Sequence, residues 1–413
     1  MSPPRARLLI LLLALGVSSG ACQESPDSPL RDALELLRVE GRIERQIVLG
    51  TVRGLLSRKP PRPDWSPRQH EGGELIRGAG DTPILVLRGT AHAMGVQQGA
   101  LLRDEIQGLL RYVRQFVGPR ELPDALARAK ELFAPALPPA YRDELRGLAA
   151  GSGIDYDELL LAQSFTDLYR GFACTCVAAP LGDAGTGLAR NLDFPGFGYL
   201  ARYSIVVVRQ PEGGRRTVSI GWPGLIGVLS GQSEQLALAV MVVHDAEGAS
   251  AGLPFQLVFR RVLEEADDVT QAHALLSELP RTVTNNLMVV DRAGGAAAFE
   301  LGREEVVRRD PPAHRWLVST NHFVSGDLAE ARASFSFLNS RGRLKKAREC
   351  RPSDGAYALA DLQQALRESD NAATQQSMVF LPRTGEVYVS LPDKPPAAKG
   401  TLVRLDPRTL WGE

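Results

Sequence analysis

The feature that most constrains how this chain folds is a change of character at Cys174. Before it, apolar residues recur at helical spacing; after it, they alternate in short runs broken by Gly- and Pro-containing turns. The first part predicts a strand at 83–88, a Gly-containing turn, a long amphipathic helix over 94–117, and helices over 124–133 and 139–150. The second part predicts strands at 204–209 and 217–222 around Pro211-Glu212-Gly213-Gly214, and a further β run at 235–243. Helices are expected at 255–265 and 269–279, then strands at 287–290 and 296–300 joined by Asp291-Arg292-Ala293-Gly294-Gly295. Helices at 338–349 and 359–368 precede a closing pair of strands at 377–381 and 386–391. Antiparallel hairpins with helices grouped between them predict a layered α+β fold, not a doubly wound parallel sheet. No internal repeat or coiled-coil heptad is present.

The N-terminus points to export. Arg5 and Arg7 precede a short apolar run, Leu8 to Val17, and then Ser18-Ser19-Gly20-Ala21 leads to Cys22. A positive start, a short apolar core and small residues at the cut are the pattern of a secretory signal over 1–21. Ser19-Gly20-Ala21-Cys22 resembles a bacterial lipobox, which predicts a membrane anchor through Cys22; ordinary signal-peptidase cleavage is the alternative. The expected location is therefore the periplasm or outer envelope as a lipoprotein, or the secreted fraction. Residues 22–81 read as a helical extension, with an apolar stripe through Leu30, Leu34 and Leu37, and a linker at Ser57-Arg58-Lys59-Pro60-Pro61-Arg62-Pro63. The first globular segment is expected to begin near Thr82.

Charge and cysteine usage exclude several classes. Lys+Arg and Asp+Glu each number 48, so the chain lacks the basic excess of a nucleic-acid binder. Its four cysteines, Cys22, Cys174, Cys176 and Cys350, do not form a disulfide framework, though a Cys176–Cys350 bridge is open on sequence grounds. The six histidines are scattered, and no His or Cys group has zinc-ligand spacing, so no metal and no cofactor is expected.

The chemistry concentrates in Ala173-Cys174-Thr175-Cys176-Val177, followed by Gly187-Leu188-Ala189-Arg190-Asn191-Leu192-Asp193-Phe194. A strand, a Gly-Asp-Ala-Gly turn and a second strand bring Arg190 and Asp193 back beside Cys174. A cation near a thiol raises its thiolate fraction, and a carboxylate can orient an amine or an imidazole. By spacing alone the plainer reading, a buried Cys in a hairpin with a surface Arg and Asp, stands ahead.

The pattern Cys-Thr-x-Val, a short hairpin, then Arg-Asn-Leu-Asp-Phe resembles the nucleophile region of the isopenicillin-N acyltransferase-like N-terminal-nucleophile (Ntn) cysteine hydrolases. Acid ceramidase, N-acylethanolamine acid amidase and bile-salt hydrolases are relatives of that family. Further matches fall in family order: Leu87 to Gly95 with Gln98-Gly99, Glu144 to Gly151, Asn286 to Asp291 with Glu300, Thr320-Asn321-His322-Phe323, and Ser340 with Arg343. Together they cover about Val86 to Val403.

The resemblance implies a four-layer αββα sandwich with a mostly helical N-terminal segment. It implies self-cleavage between Ala173 and Cys174, giving an N-terminal piece (82–173 of the globular part) and a C-terminal piece, 174–413, that stay associated. Cys174 would then be nucleophile and, through its freed α-amine, base. Arg190 would stabilise charge beside it, Asp193 would orient the amine, and Asn286 would donate to the oxyanion, with Asn285 the neighbouring candidate. The implied substrate is a linear amide of an N-acylated small molecule, opened through an acyl-thioester that passes to water or to an amine.

Gly231-Gln232-Ser233-Glu234 has Ser233 where the family often has Asn as a second oxyanion donor. His322 is expected to support its turn and not to act as base, and Cys176 to be a small buried residue. A different class of protein, an inactive envelope lipoprotein that keeps the fold to bind a ligand, is motivated by Ser233.

Overall fold

The computed structural model describes residue 50 and residues 52–169, 173–244, 247–331 and 339–412. The signal segment, Cys22 and the stripe through Leu37 lie outside the described residues.

The first strands are β1 (Arg68–His70), β2 (Gly73–Arg77) and β3 (Pro83–Gly89). β1 and β2 form a hairpin, and β2 pairs antiparallel with β3. The stretch 68–77, expected to belong to the extension and linker, is therefore part of the sheet, and a boundary at 82 divides a hairpin. Its strands are too short to show a period of their own; their pairing partners decide them. Buried Trp65 sends its indole N–H to Arg202 O at 3.2 Å and ties the preceding stretch to the fold.

Five helices follow: α1 (Ala91–Leu101), α2 (Arg103–Val117), α3 (Leu122–Phe133), α4 (Pro139–Ser152) and α5 (Tyr156–Leu168). The single helix expected over 94–117 is broken at Leu102, whose φ −124°, ψ 26° ends α1 and starts α2. The break lets α1 lie flat on α4. There the backbones touch: a Cβ on Gly95 would sit 2.0 Å from Glu144 O, and one on Gly147 would sit 2.1 Å from His92 O. Only glycine permits that approach. Helix α5 escaped the periodicity reading because Leu159, Leu160, Leu161 and Phe165 are all buried, leaving no polar stripe to set a phase. Asp155 caps it, accepting from Asp157 N at 2.9 Å.

The remaining elements are β4 (Ala173–Pro180), β5 (Thr186–Asp193), β6 (Ile205–Pro211), β7 (Thr217–Gly221), β8 (Ser230–Ser233) and β9 (Leu236–Val242). Then come α6 (Phe255–Glu265), α7 (Val269–Glu278), β10 (Asn285–Asp291), β11 (Ala296–Leu301), β12 (Val306–Arg309), β13 (Leu317–Ser319) and α8 (Gly326–Ala331). Helices α9 (Ser340–Glu349) and α10 (Leu359–Glu368), strands β14 (Thr374–Leu381), β15 (Glu386–Ser390) and β16 (Val403–Arg404), and α11 (Pro407–Trp411) complete the fold. One sheet runs β1-β2-β3-β6-β7-β8-β9-β10-β11-β12, the other β13-β4-β5-β14-β15-β16. All pairs are antiparallel except β3 with β6.

The two sheets stack face to face through β4 and β5 against β9 and β10. Strand alternation sorts the side chains. Cys174, Cys176, Leu188, Leu192 and Met378 point between the sheets and join Leu238, Val240 and Val289 in one core. Val177, Ala179, Ala189 and Val379 point the other way, under Leu344, Ala347, Leu362 and Ala365 of α9 and α10. Helix α1 covers β2 and β3, and α6 and α7 cover β8 to β11. The result is a four-layer αββα sandwich, the α+β class expected from the hairpin pattern. Among the described residues no helix is long and apolar enough to cross a membrane.

Candidate active site

The β4–β5 hairpin sets the site by register alone: Ala173 faces Asp193, Cys174 faces Leu192, and Cys176 faces Arg190. Arg190 starts opposite Cys176, yet its guanidinium reaches along the inner face so that Nη2 lies 3.1 Å from Cys174 Sγ. The opposite sheet holds it there. Arg190 Nη2 donates to Val240 O at 2.9 Å, and Nη1 donates to Leu229 O at 3.1 Å and to Ser230 Oγ. The planar fork of donors is used as a fixed bracket, which a lysine cannot reproduce.

Burial pushes the Cys174 thiol above its usual range, and Arg190 offsets only part of that rise. The expectation that an adjacent arginine makes a ready thiolate is thus outweighed by desolvation. Burial pushes the Cys176 thiol up as well. It is a free thiol on the inner face, whereas the free thiol Cys350 packs among the outer-face residues, so no bridge joins them.

Asp193 is fully buried. Thr374 Oγ1 donates to its Oδ1 at 2.6 Å; Oδ2 has no hydrogen-bond partner among the described residues and lies 3.8 Å from Arg343 Nη1. Burial raises its carboxyl above the ordinary value despite Arg343 and Thr374.

Two residues beyond the nucleophile hairpin complete the centre, and sequence reasoning assigned neither a role. Asn321 Oδ1 accepts from Cys174 N at 2.7 Å and from Arg343 Nη2 at 2.8 Å, and Asn321 Nδ2 donates to Val242 O at 2.8 Å. Arg343 Nη1 donates to Cys174 O and, at 2.9 Å, to Thr175 Oγ1. Their signal was the Thr-Asn-His-Phe and Ser-x-x-Arg runs, visible as order in the chain but not as contacts.

Asn286 is placed differently from Asn321. Its Nδ2 donates to Thr320 O and to His322 O, both at 2.9 Å, so both amide protons are taken. Asn285 is also buried and sends Nδ2 to Val283 O at 3.5 Å. Ser233 is not brought to the thiol: its Oγ accepts from Gln235 N and Leu236 N, each at 3.3 Å, and so closes its own β8–β9 turn.

His322 is 7% exposed and its Nδ1 lies 2.7 Å from Ser340 Oγ. Burial, with Arg341, Arg343, Arg309 and Arg348 around it, lowers its pKa to about 4. It is neutral at ordinary pH and holds its turn instead of shuttling protons. The unfolded chain takes up this proton near pH 6.5, the folded chain only near 4. Stability is therefore lost as pH falls through that window, by up to about 3 kcal/mol. His322→Asn places an oxygen near Nδ1 and does not titrate. Urea unfolding at pH 7, 6, 5 and 4 is expected to show a smaller acid-side loss in that variant; parallel curves would contradict the assignment.

Beside the centre lies an apolar pocket, with Leu110, Tyr112, Phe165, Phe194, Trp222 and Leu229 in its wall. Phe194 follows Asp193, and Leu229 supplies a carbonyl to Arg190, so the cavity and the thiol centre share a wall. Among the described residues no group of three His, Cys, Asp or Glu is placed to hold a metal ion.

An αββα sandwich is the fold implied by the Ntn resemblance, and in it Cys174 of β4 lies beside Arg190. Residues 181–390, just over half of the chain, match the family model described as acyl-coenzyme A:6-aminopenicillanic acid acyl-transferase, and the chain belongs to that family of Ntn hydrolases and acyltransferases. The match includes Arg190, Asp193, Asn286, Asn321 and Arg343, and begins seven residues after Cys174. Among curated proteins the chain is similar to protein dcd1A of Dictyostelium discoideum, 27% identical over 237 residues, 48% of this chain and 53% of that one. Protein dcd1B of the same organism is 26% identical over 274 residues, 57% of this chain and 54% of that one. The chain thus spans about half the length of these relatives. Among solved structures, the N-acylethanolamine-hydrolyzing acid amidase ortholog of Caenorhabditis elegans is 17% identical over 56% of this chain and 100% of that one, with TM-score 0.42. Penicillin V acylase of Agrobacterium tumefaciens is 14% identical over 53% of this chain and 82% of that one, with TM-score 0.36.

Proposed function

We propose that the chain is a self-cleaving cysteine amidohydrolase or acyltransferase that opens a linear amide of an N-acylated small molecule through an acyl-thioester on Cys174. The observation that carries this reading is the pair of contacts on one residue: Sγ 3.1 Å from Arg190 Nη2, and the backbone N held 2.7 Å from Asn321 Oδ1.

In the first step the Cys174 thiol adds to the Ala173 carbonyl, the Ala173–Cys174 amide breaks, and its nitrogen leaves protonated as the α-amine of Cys174. Water then opens the thioester and leaves Ala173 with a carboxylate. That amine has a pKa of about 7.7–8.0 in free peptides, which suits a thiol that burial keeps protonated. It takes the thiol proton as sulfur attacks the substrate amide and returns it to the leaving amine. Asp193 Oδ2, buried and without a hydrogen-bond partner, is the acceptor proposed to orient that amine. The oxyanion donor proposed is Asn321, whose Nδ2 keeps one N–H beyond its bond to Val242 O, in preference to Asn286, whose two are both taken. The shared apolar cavity supports an acyl group that is aliphatic or aromatic. The N-terminal signal supports export, with Cys22 as the anchor point.

Mass spectrometry of the purified chain, together with incubation with N-acyl amides of increasing acyl length, tests this reading. A fragment beginning at Cys174 and faster release of amine from longer or aromatic acyl groups are expected. An intact chain with no turnover under any condition would favour the ligand-binding lipoprotein instead.

A further inference from the structure

Asn321 can serve Cys174 only if its amide is held one way round. Oδ1 must face Cys174 N and Arg343, and Nδ2 must face Val242 O; a half-turn about the last side-chain bond would exchange donor for acceptor at all three partners. Nothing in an isolated Asn side chain prefers either orientation. The backbone that carries it therefore has to be fixed, and the structure fixes it from three sides.

Asn286 Nδ2 holds the carbonyls on either side, Thr320 O and His322 O. Ser340 Oγ holds the remaining free group, accepting from Asn321 N at 2.9 Å. Ser340 is itself held: its Oγ lies 3.0 Å from Thr320 Oγ1 and 2.7 Å from His322 Nδ1, and Thr320 Oγ1 donates to Ser340 O at 3.1 Å. Either neutral His322 tautomer satisfies this ring. With Nδ1 bare, Ser340 donates to it; with Nδ1 protonated, Ser340 accepts from it and donates to Thr320. In both arrangements Ser340 Oγ keeps a lone pair for Asn321 N. Ser340 also opens α9, and Arg343, three residues on and so on the same helix face, reaches Cys174 O and Asn321 Oδ1. One helical turn thus aims both groups that grip the nucleophile's backbone. Every member is buried.

We propose that Ser340 is a positioning residue of the Cys174 centre, acting through Asn321, with Asn286 as its partner in fixing the turn. The inference rests on the functional reading given above. In the cleaved enzyme Asn321 Oδ1 accepts from the α-amine of Cys174, and an acceptor there favours the protonated amine. Loosening Asn321 lowers the pKa of that amine, so the acid limb of the kcat/KM profile moves to lower pH. A merely structural loss has no reason to move it.

The test is the pH profile of amide hydrolysis by the mature enzyme in Ser340→Ala, with Thr320→Val, which removes a hydroxyl from the ring without touching Asn321, as the milder variant. The expected result for Ser340→Ala is a fall in kcat of roughly tenfold to a hundredfold, KM within about twofold, and an acid limb displaced by about half a pH unit or more. Thr320→Val is expected to move both in the same direction by less, and it carries the test if Ser340→Ala does not fold. Wild-type profiles in both variants, or a fall in kcat with an unmoved acid limb, would overturn the proposal. A wild-type enzyme that is uncut or inert would instead remove the functional reading beneath it.

Discussion

Cys174→Ala is expected to yield a single uncut chain with no measurable amide turnover, while Cys176→Ala is expected to cleave and keep most of its activity. Both thiols are fully buried on the same inner face two residues apart, so burial does not separate them. Position does. Arg190 Nη2 approaches Cys174 Sγ, and the Cys174 backbone is gripped at N by Asn321 and at O by Arg343. Cys176 has no hydrogen bond to its sulfur among the described residues, and burial raises its thiol as well. Cys174→Ser should cut slowly, because a hydroxyl is a weaker nucleophile but fits the same contacts. Arg190→Ala should slow iodoacetamide alkylation of Cys174 at neutral pH, since the thiol loses the cation that opposes its desolvation. Gel analysis and N-terminal sequencing read the cut; release of amine reads turnover. Equal loss from Cys174→Ala and Cys176→Ala would refute the assignment, as would an active wild-type enzyme whose Cys174 nitrogen is still in peptide linkage.

Glu144→Ala is expected to destabilise the chain by about 3–5 kcal/mol, the usual cost of stranding one side of a buried ion pair. Glu144 is 0% exposed and faces two arginines: Arg260 Nη1 at 2.6 Å from Oε2 and Arg209 Nε at 3.4 Å from Oε1. Glu264 shares the charge, 2.7 Å from Arg260 Nε, and Tyr141 closes the cluster by donating to Glu264 Oε2 at 2.7 Å. Two guanidiniums against two carboxylates balance; without Glu144 a buried positive charge is left over. The cluster also joins α4 to β6 and α6, so it ties the piece before the proposed cut to the piece after it. In the cleaved protein the same variant should let the pieces separate at lower urea concentration. Glu144→Gln keeps the shape and loses only the charge, and is expected to cost less than Ala but still more than 1 kcal/mol. Urea unfolding with size-exclusion chromatography measures both effects. A wild-type midpoint in both variants would show that the cluster carries no net stabilisation.

Features that depend on near neighbours are readable along the chain. Helices over 122–133, 139–152, 255–265 and 359–368 stand where the 3.6-residue period put them, because an apolar stripe records the face a helix buries. The hairpin that carries Cys174, Arg190 and Asp193 was legible for the same reason: a short segment with one turn admits few registers, and the observed one puts Arg190 on the face of Cys174 and Cys176. The misses have equally local causes. Helix α5 buries polar Gln163, Ser164, Thr166 and Asp167 along with its leucines, so no polar face marks its phase, and β1, β2, β8 and β13 are too short to carry a period, so only their partners make them strands.

Tertiary structure alone decided which distant groups reach the thiol and in what state they arrive. Nothing within the segment 284–322 says that Asn321 turns its amide to Cys174 while Asn286 spends its own on the Thr320 and His322 carbonyls. That choice follows from how β10 and the β13 end lie against each other. The bracket around Arg190 comes from carbonyls of the opposite sheet, and Ser233 was drawn into its own turn instead of the site. The protonation states were hidden for the same reason. Arg190 beside Cys174 suggests a thiolate, yet desolvation raises the thiol; the same desolvation lowers His322, expected to support its turn, to about 4. Desolvation belongs to the packed sandwich as a whole, and a linear sequence shows who is adjacent but not how much water has been excluded.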